Sequence, residues 1–217
     1  MATQYANGKI VTDGLVLSLD AADRNSYVSG SLVWNDVSGN GNAGTLTNGP
    51  TFDSGSGGNI VFDGVNDYLL MSRQSTFTTE LTYCGFIYPT NLTGNRAIFS
   101  FRGTLLQVQG NGIVYWANIT NSSALFTATG LNLNQWNFIS ISHNNNQVTA
   151  YYNSNNLGTV TLVNPLTSYS YNEIARFGEG DRQFAGSLGN FLFYNRALSA
   201  QEVLQNYNAQ KSRFGLK

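Results

Sequence analysis

The sequence predicts an all-β domain of two stacked antiparallel sheets closed by one short C-terminal helix. Three observations carry this expectation. Short apolar or alternating segments recur between clusters of Gly and Asn, a helical pattern appears only near the end of the chain, and no segment repeats at a fixed period; the first fits a sandwich and the last disfavours a propeller or solenoid. The 13 Phe, 12 Tyr and 3 Trp supply far more core than a disordered chain carries. A length of 217 residues leaves little room for a second complete core, at roughly 150 residues per ordinary domain. One domain over 14–210 is therefore expected, with an N-terminal arm at 1–13 and a C-terminal tail at 211–217.

Along the chain, strands are expected at 15–21, 60–62, 68–71, 81–88, 97–101, 105–108 and 113–117, then at 124–128, 136–142, 147–152, 159–162, 174–177 and 187–194. Between the first two, DVSGNGNAG (residues 36–44) holds too many turn formers for a strand and reads as an ordered surface loop. The alternation is clearest from Trp136 to His143. There Trp136, Phe138, Ser140 and Ser142 share one face and Asn137, Ile139, Ile141 and His143 the other, so bulky apolar residues on both faces predict a central strand. Asn144, Asn145 and Asn146 tolerate the left-handed backbone of a tight hairpin into 147–152. Ser199 and Glu202 match a capping box, and Val203, Leu204 and Tyr207 follow at helical spacing, which predicts a helix over 200–209.

Charge and cysteine usage exclude several classes. Eleven basic against 12 acidic residues leave no cationic surface for nucleic acid. No apolar run approaches the roughly 18 residues that span a bilayer, and residues 1–14 hold no apolar stretch of signal-peptide type. A soluble chain with no membrane insertion and no secretion signal is expected. A single Cys and a single His exclude a disulfide framework and the usual zinc constellations. Cys84 lies in an apolar strand and reads as a buried, inert thiol, and His143 as a turn-flanking surface residue. The sequons at Asn91, Asn118 and Asn121 read as chance in a chain this rich in Asn, Ser and Thr.

Four stretches resemble the laminin-G-like branch of the concanavalin A-like jelly rolls: GLVLSLDAAD with a following Tyr27, WNDVSGNGNAGTLTNGPTF, FDGVNDYL, and FAGSLGNFLFYNRALSAQEVLQNY. Singly each is weak, but their order and spacing are specific from Gly14 onward. The resemblance implies a jelly-roll sandwich. The closing run YNRALSAQEVLQNYNAQKSRFG is similar to the ending of laminin-G-like proteins of tailed bacteriophages. That implies a virion protein, made in the bacterial host cytoplasm and assembled onto a particle.

For catalysis, polysaccharide-cleaving enzymes of this fold resemble Glu-x-Asp-x-x-Glu on a strand, because one carboxylate attacks the sugar while another protonates the leaving oxygen. The nearest match is Glu179, Asp181 and then Phe184, so the acid position is missing and no catalytic residue is expected. Calcium is the metal the resemblance implies, at Asp63, Asn66 and Asp67 of FDGVND, since this hard cation takes carboxylate and amide oxygens. The competing reading of the same segment is a tight turn built by Asp63 and Gly64. In the last long strand, cellular relatives resemble F-x-G-x-I-D-E, whereas this chain reads FAGSLGN and lacks both acids. No cofactor is required. Glycan recognition uses aromatic faces beside amides, and Tyr115, Trp116, Asn118, Tyr169 and Tyr171 are the candidates.

The expected function is a non-catalytic virion structural protein, a capsid decoration or tail-associated jelly roll, docked to other virion proteins and able to adhere to host surface polysaccharide. A glycan-binding adhesion module and a polysaccharide-degrading glycoside hydrolase are the alternatives. With only 11 Lys and Arg to guard sheet edges, the edges are expected to be covered by neighbours, and a homo-oligomer follows.

Overall fold

The computed structural model describes residues 4–5, 8–72, 79–101, 104–109, 112–118, 122–127, 131–163, 172–178 and 182–217. A two-stranded ribbon, β1 (Gln4–Tyr5) and β2 (Gly8–Lys9), precedes a sandwich of two antiparallel sheets. The front sheet runs, in spatial order, β13 (Ser122–Thr127), β12 (Gly112–Asn118), β11 (Thr104–Gln109), β10 (Arg96–Phe101), β17 (Asn172–Ile174), β8 (Tyr68–Met71), β5 (Gly44–Thr47) and β4 (Val33–Trp34). The back sheet runs β16 (Asn155–Thr161), β15 (Gln147–Tyr152), β14 (Asn137–Asn144), β9 (Glu80–Pro89), β18 (Ala185–Tyr194), β7 (Asn59–Asp63) and β6 (Thr51–Asp53), with β3 (Leu15–Asp20) also paired to β18. This is the expected jelly-roll sandwich. The strands of the front sheet around 33–34 and 44–47 had no strand signal, because Gly and Asn crowd their flanks.

The back sheet is buried on both faces, which is why β9 reads almost without interruption as apolar. Leu81, Tyr83 and Ile87 of β9 enter the layer between the sheets, while Cys84 and Phe86 enter a second core on the far side. That second core is closed by α1 (Ala200–Gln210), which buries Val203, Tyr207 and Ala209. The capping box is present as expected: Ser199 Oγ accepts from Glu202 N at 3.3 Å, and the Glu202 carboxylate accepts from Ser199 N at 2.9 Å.

Both ends of the chain belong to this second core, so packing does not stop at the expected borders of arm and tail. Ile10 and Val11 are buried in it, and Val11 N donates to Asn206 Oδ1 at 2.8 Å while Val11 O accepts from Tyr194 Oη at 2.9 Å. Phe214, in the 3₁₀ turn Lys211–Phe214, stacks on Phe86 with centroids 4.2 Å apart. An apolar pair in the arm and an aromatic in the tail have nowhere else to leave water.

Local chemistry bears out the loop and hairpin expectations. Asp36 accepts from Ser18 N, Ser38 N and Asn42 N at 2.8 to 3.0 Å, and Asn42 Nδ2 reaches Val16 O, which ties the Gly- and Asn-rich loop to the edge of β3. Asn145 takes φ 54° at the turn joining β14 to β15. Two side-chain readings divide. Cys84 is buried and its thiol is pushed up to about 11 by desolvation, hence inert. His143 is not a surface residue: it is 0% exposed, because β14 continues to Asn144 and position 143 still shares the core-facing side with Ile139 and Ile141.

Candidate functional site

The FDGVND segment forms the turn from β7 into β8. Asp63 Oδ1 accepts from the backbone N–H groups of Val65, Asn66 and Asp67 at 2.8, 3.2 and 3.4 Å, and Asp67 Oδ2 accepts from Asp63 N at 3.0 Å. Gly64 sits at φ 76°, and a Cβ there would stand 2.5 Å from Ala185 Cβ, so only glycine fits. Desolvation raises the Asp63 pKa, but the surrounding amides together outweigh it and hold the carboxyl below its ordinary value. At Asp67 burial wins and raises it. The turn thus accounts for both acids, with one oxygen of each spent on backbone amides, and two carboxylates and an amide supply few of the six to eight oxygens calcium takes. Asp63→Ala is expected to cost about 1 kcal/mol, as loss of a turn acceptor does. Equal melting temperatures in calcium and in chelator are expected for the native chain; a calcium-dependent rise abolished in Asp63→Ala would assign the loop to the metal.

A second constellation lies on the outer face of the front sheet. Register sets Val33, Thr45, Leu70, Glu173, Ser100, Leu105, Trp116 and Ser123 opposite one another in successive strands, one row across the whole sheet. Strand partners share a face. Ile174, Phe99 and Leu106 of the neighbouring row fill the core, so Leu70, Glu173, Ser100 and Leu105 belong to the outer side. Glu173, Ser100 and Gln107 form a buried polar floor. Around it, Tyr68, Arg176 and Arg182 are partly exposed and Leu70 is exposed.

The floor orients the rim. Glu173 Oε1 accepts from Arg176 Nη2 at 2.5 Å and Glu173 Oε2 from Gly178 N at 2.8 Å. The Arg176 guanidinium lies 3.5 Å from the centroid of the Tyr68 ring. Desolvation lowers the Arg176 pKa, but the bond to Glu173 and its charge raise it further, so the side chain is a permanent cation. Arg182 Nη1 donates to Gln107 Oε1 at 3.3 Å, and Gln107 Nε2 donates to Asn95 Oδ1 at 3.2 Å. Ser100 Oγ and Arg176 Nε are buried with no hydrogen-bond partner among the described residues. Ala175, a non-glycine residue at φ 68°, turns the chain out of β17 between Glu173 and Arg176. The result is a fixed cation on an aromatic plane beside a carboxylate and amides, a set able to hold hydroxyl groups through planar hydrogen bonds and a C–H face through stacking.

Of the residues expected to bind glycan, Trp116 falls in the row of Glu173 and Ser100, and Tyr115 and Asn118 lie on the same strand. Tyr169 and Tyr171 lie outside the described residues, as do Glu179 and Asp181 of the incomplete acid motif. Phe184, which stands at the missing acid's position, is wholly buried in the core between the sheets. Glu173, Arg176 and Tyr68 carried no joint signal in the sequence, since Tyr68 is distant from the other two and only the register of β8 and β17 unites them.

The comparisons agree with this architecture. A laminin-G-like family model, described as the concanavalin A-like lectin/glucanases superfamily, matches residues 63–204, well over half of the chain, and the chain belongs to that superfamily. Among solved structures it is similar to domain 4 of AbnA, a GH43 extracellular arabinanase from Geobacillus stearothermophilus solved with arabinotriose, at TM-score 0.70 and 18% identity over 90% of this chain and 98% of that domain. It is likewise similar to the binding domain of botulinum neurotoxin serotype D, at TM-score 0.70 and 15% identity over 92% of this chain and 53% of that one. The binding domain of Paraclostridial Mosquitocidal Protein 1 gives TM-score 0.69 and 17% identity over 90% and 52%. The chain spans about half the length of these toxin domains, and at such identities the likeness establishes the fold. No curated protein matches the chain.

Proposed function

We propose that the protein is a non-catalytic glycan-binding module that holds a surface polysaccharide on the outer face of its front sheet. The observation that carries this reading is Arg176, stacked on Tyr68 and fixed by Glu173 on the outer face of the front sheet. The arabinotriose complex of the similar arabinanase domain supports sugar binding on this fold. Hydrolysis needs two carboxylates placed across a glycosidic bond. Glu173 is the single acid on this face among the described residues, and its charge is matched by Arg176.

The proposal extends to the setting. Carriage on a tailed-bacteriophage virion, docked to capsid or tail proteins, is supported by the resemblance of the closing run. No Asp, Glu, Lys or Arg occurs between Arg102 and Glu173, and this stretch supplies one edge strand of each sheet, β13 and β16. Such unguarded edges favour cover by a neighbour or a second copy. The test is retention on immobilised host polysaccharide. Arg176→Ala and Glu173→Gln are expected to weaken binding about tenfold or more, as loss of a central anchor does, with no release of reducing ends. Binding unchanged in both folded variants would overturn the reading.

A further inference from the structure

Where α1 packs on the back sheet, a groove of about 230 Å³ lies between the turn joining β15 to β16 and the first turn of α1. Tyr151, Asn153, Ser154, Asn156, Gln201 and Leu204 line it, and none of its lining residues carries a charge. Tyr151 is only 6% exposed, and its hydroxyl makes no hydrogen bond among the described residues. The hydroxyl is not among the side-chain atoms sealed from water without a partner, so it remains open to solvent in the groove. Two of the amides are held in place by the backbone: Asn153 Oδ1 accepts from Phe138 N at 2.9 Å, and Asn156 Oδ1 accepts from Gly158 N at 2.7 Å. Asn156 thereby keeps its NH₂ group for a ligand. Leu204, 39% exposed, offers an apolar wall.

We infer that this groove is a second binding site, for one neutral sugar ring. The volume is below the roughly 300–1,000 Å³ of drug-sized pockets, which suits a single ring. Hydroxyl groups both donate and accept, which the Tyr151 hydroxyl and the Gln201 amide can meet from either side, while the ring's C–H face packs on Leu204. None of the lining side chains carries a charge to pair with an ionic ligand. The site is independent of the front-sheet reading: its residues come from the back sheet and α1.

The experiment is a ¹H–¹⁵N correlation titration of the full chain with methyl glucoside and methyl galactoside, with N-acetylneuraminic acid as the charged comparison. At least one neutral glycoside is expected to shift the amides of Asn156, Gln201 and Leu204, with a dissociation constant on the order of 1 mM or weaker. Tyr151→Phe, which keeps the ring in its core, and Gln201→Ala, on the helix surface, should each weaken binding about fivefold, the worth of one neutral hydrogen bond. No shift at the groove from either glycoside, equal shifts from the acidic sugar, or unweakened binding in Tyr151→Phe would overturn the inference. Shifts confined to Tyr68, Leu70 and Arg176 would report the front-sheet site and leave the groove refuted.

Discussion

Arg213→Ala is expected to lower the stability of the fold by about 3–5 kcal/mol, the cost of leaving a buried carboxylate without its cation. Arg213 Nη1 lies 2.6 Å from Asp20 Oδ1, and the two side chains are 13% and 3% exposed. The same guanidinium donates to Ser56 O at 2.6 Å, Gly58 O at 2.5 Å and Gly189 O at 3.3 Å, so one side chain of the C-terminal segment ties together β3, β18 and the turn before β7. At about 2–4 °C per kcal/mol for a domain of this size, a fall in Tm near 10 °C follows. Arg213→Lys should retain only part of the stability, because an ammonium cannot reproduce the planar fork. Asp20→Asn combined with Arg213→Ala should recover part of the loss, since the unpaired charge is gone. Denaturant unfolding measures all three; a loss under 1 kcal/mol in Arg213→Ala would contradict this account.

The second large effect is acid destabilisation through His143. Desolvation drives its pKa down to about 4 from 6.5, although the 2.6 Å hydrogen bond to Asn145 O pulls the other way. With the folded pKa depressed, the unfolded chain binds a proton first as the pH falls. Stability is therefore full above pH 6.5 and declines from there down to about pH 4, by about 3 kcal/mol at 1.36 kcal/mol per unit. Glu202 acts in a different window: its hydrogen bond to Arg196 holds its pKa down to about 2, so its contribution is present above pH 4.5 and lost only below it. A fall in unfolding free energy between pH 6.5 and 4.5 that persists undiminished in His143→Gln would refute the assignment.

The sandwich was legible wherever local chemistry and burial agree. Ser199 with Glu202, the Asn run before β15, and the two apolar faces of β14 each state their own structure. Where tertiary pairing decides, the sequence is silent. Thr45 and Leu46 form a strand because β8 supplies the ladder, not because their neighbours favour it. His143 looked superficial beside three Asn residues, yet its place on the Ile139 and Ile141 face put it inside, a clue available from the alternation alone. Ile10, Val11 and Phe214 looked peripheral because nothing in the sequence announces that α1 leaves a second core to be closed from both termini. The site divides in the same way. Trp116 was singled out by its residue type alone, whereas Tyr68, Glu173 and Arg176 became a unit only through strand register and the left-handed turn at Ala175.

The central claim, a sugar held on the outer face of the front sheet, is tested most directly by a crystal structure of the protein with oligosaccharide prepared from host surface polysaccharide. The account predicts a sugar ring packed at Tyr68 and Leu70, with its hydroxyl groups within about 3 Å of polar atoms of Arg176 or Arg182. Sugar bound only elsewhere on the molecule, with the Arg176 and Tyr68 face left empty, would contradict it.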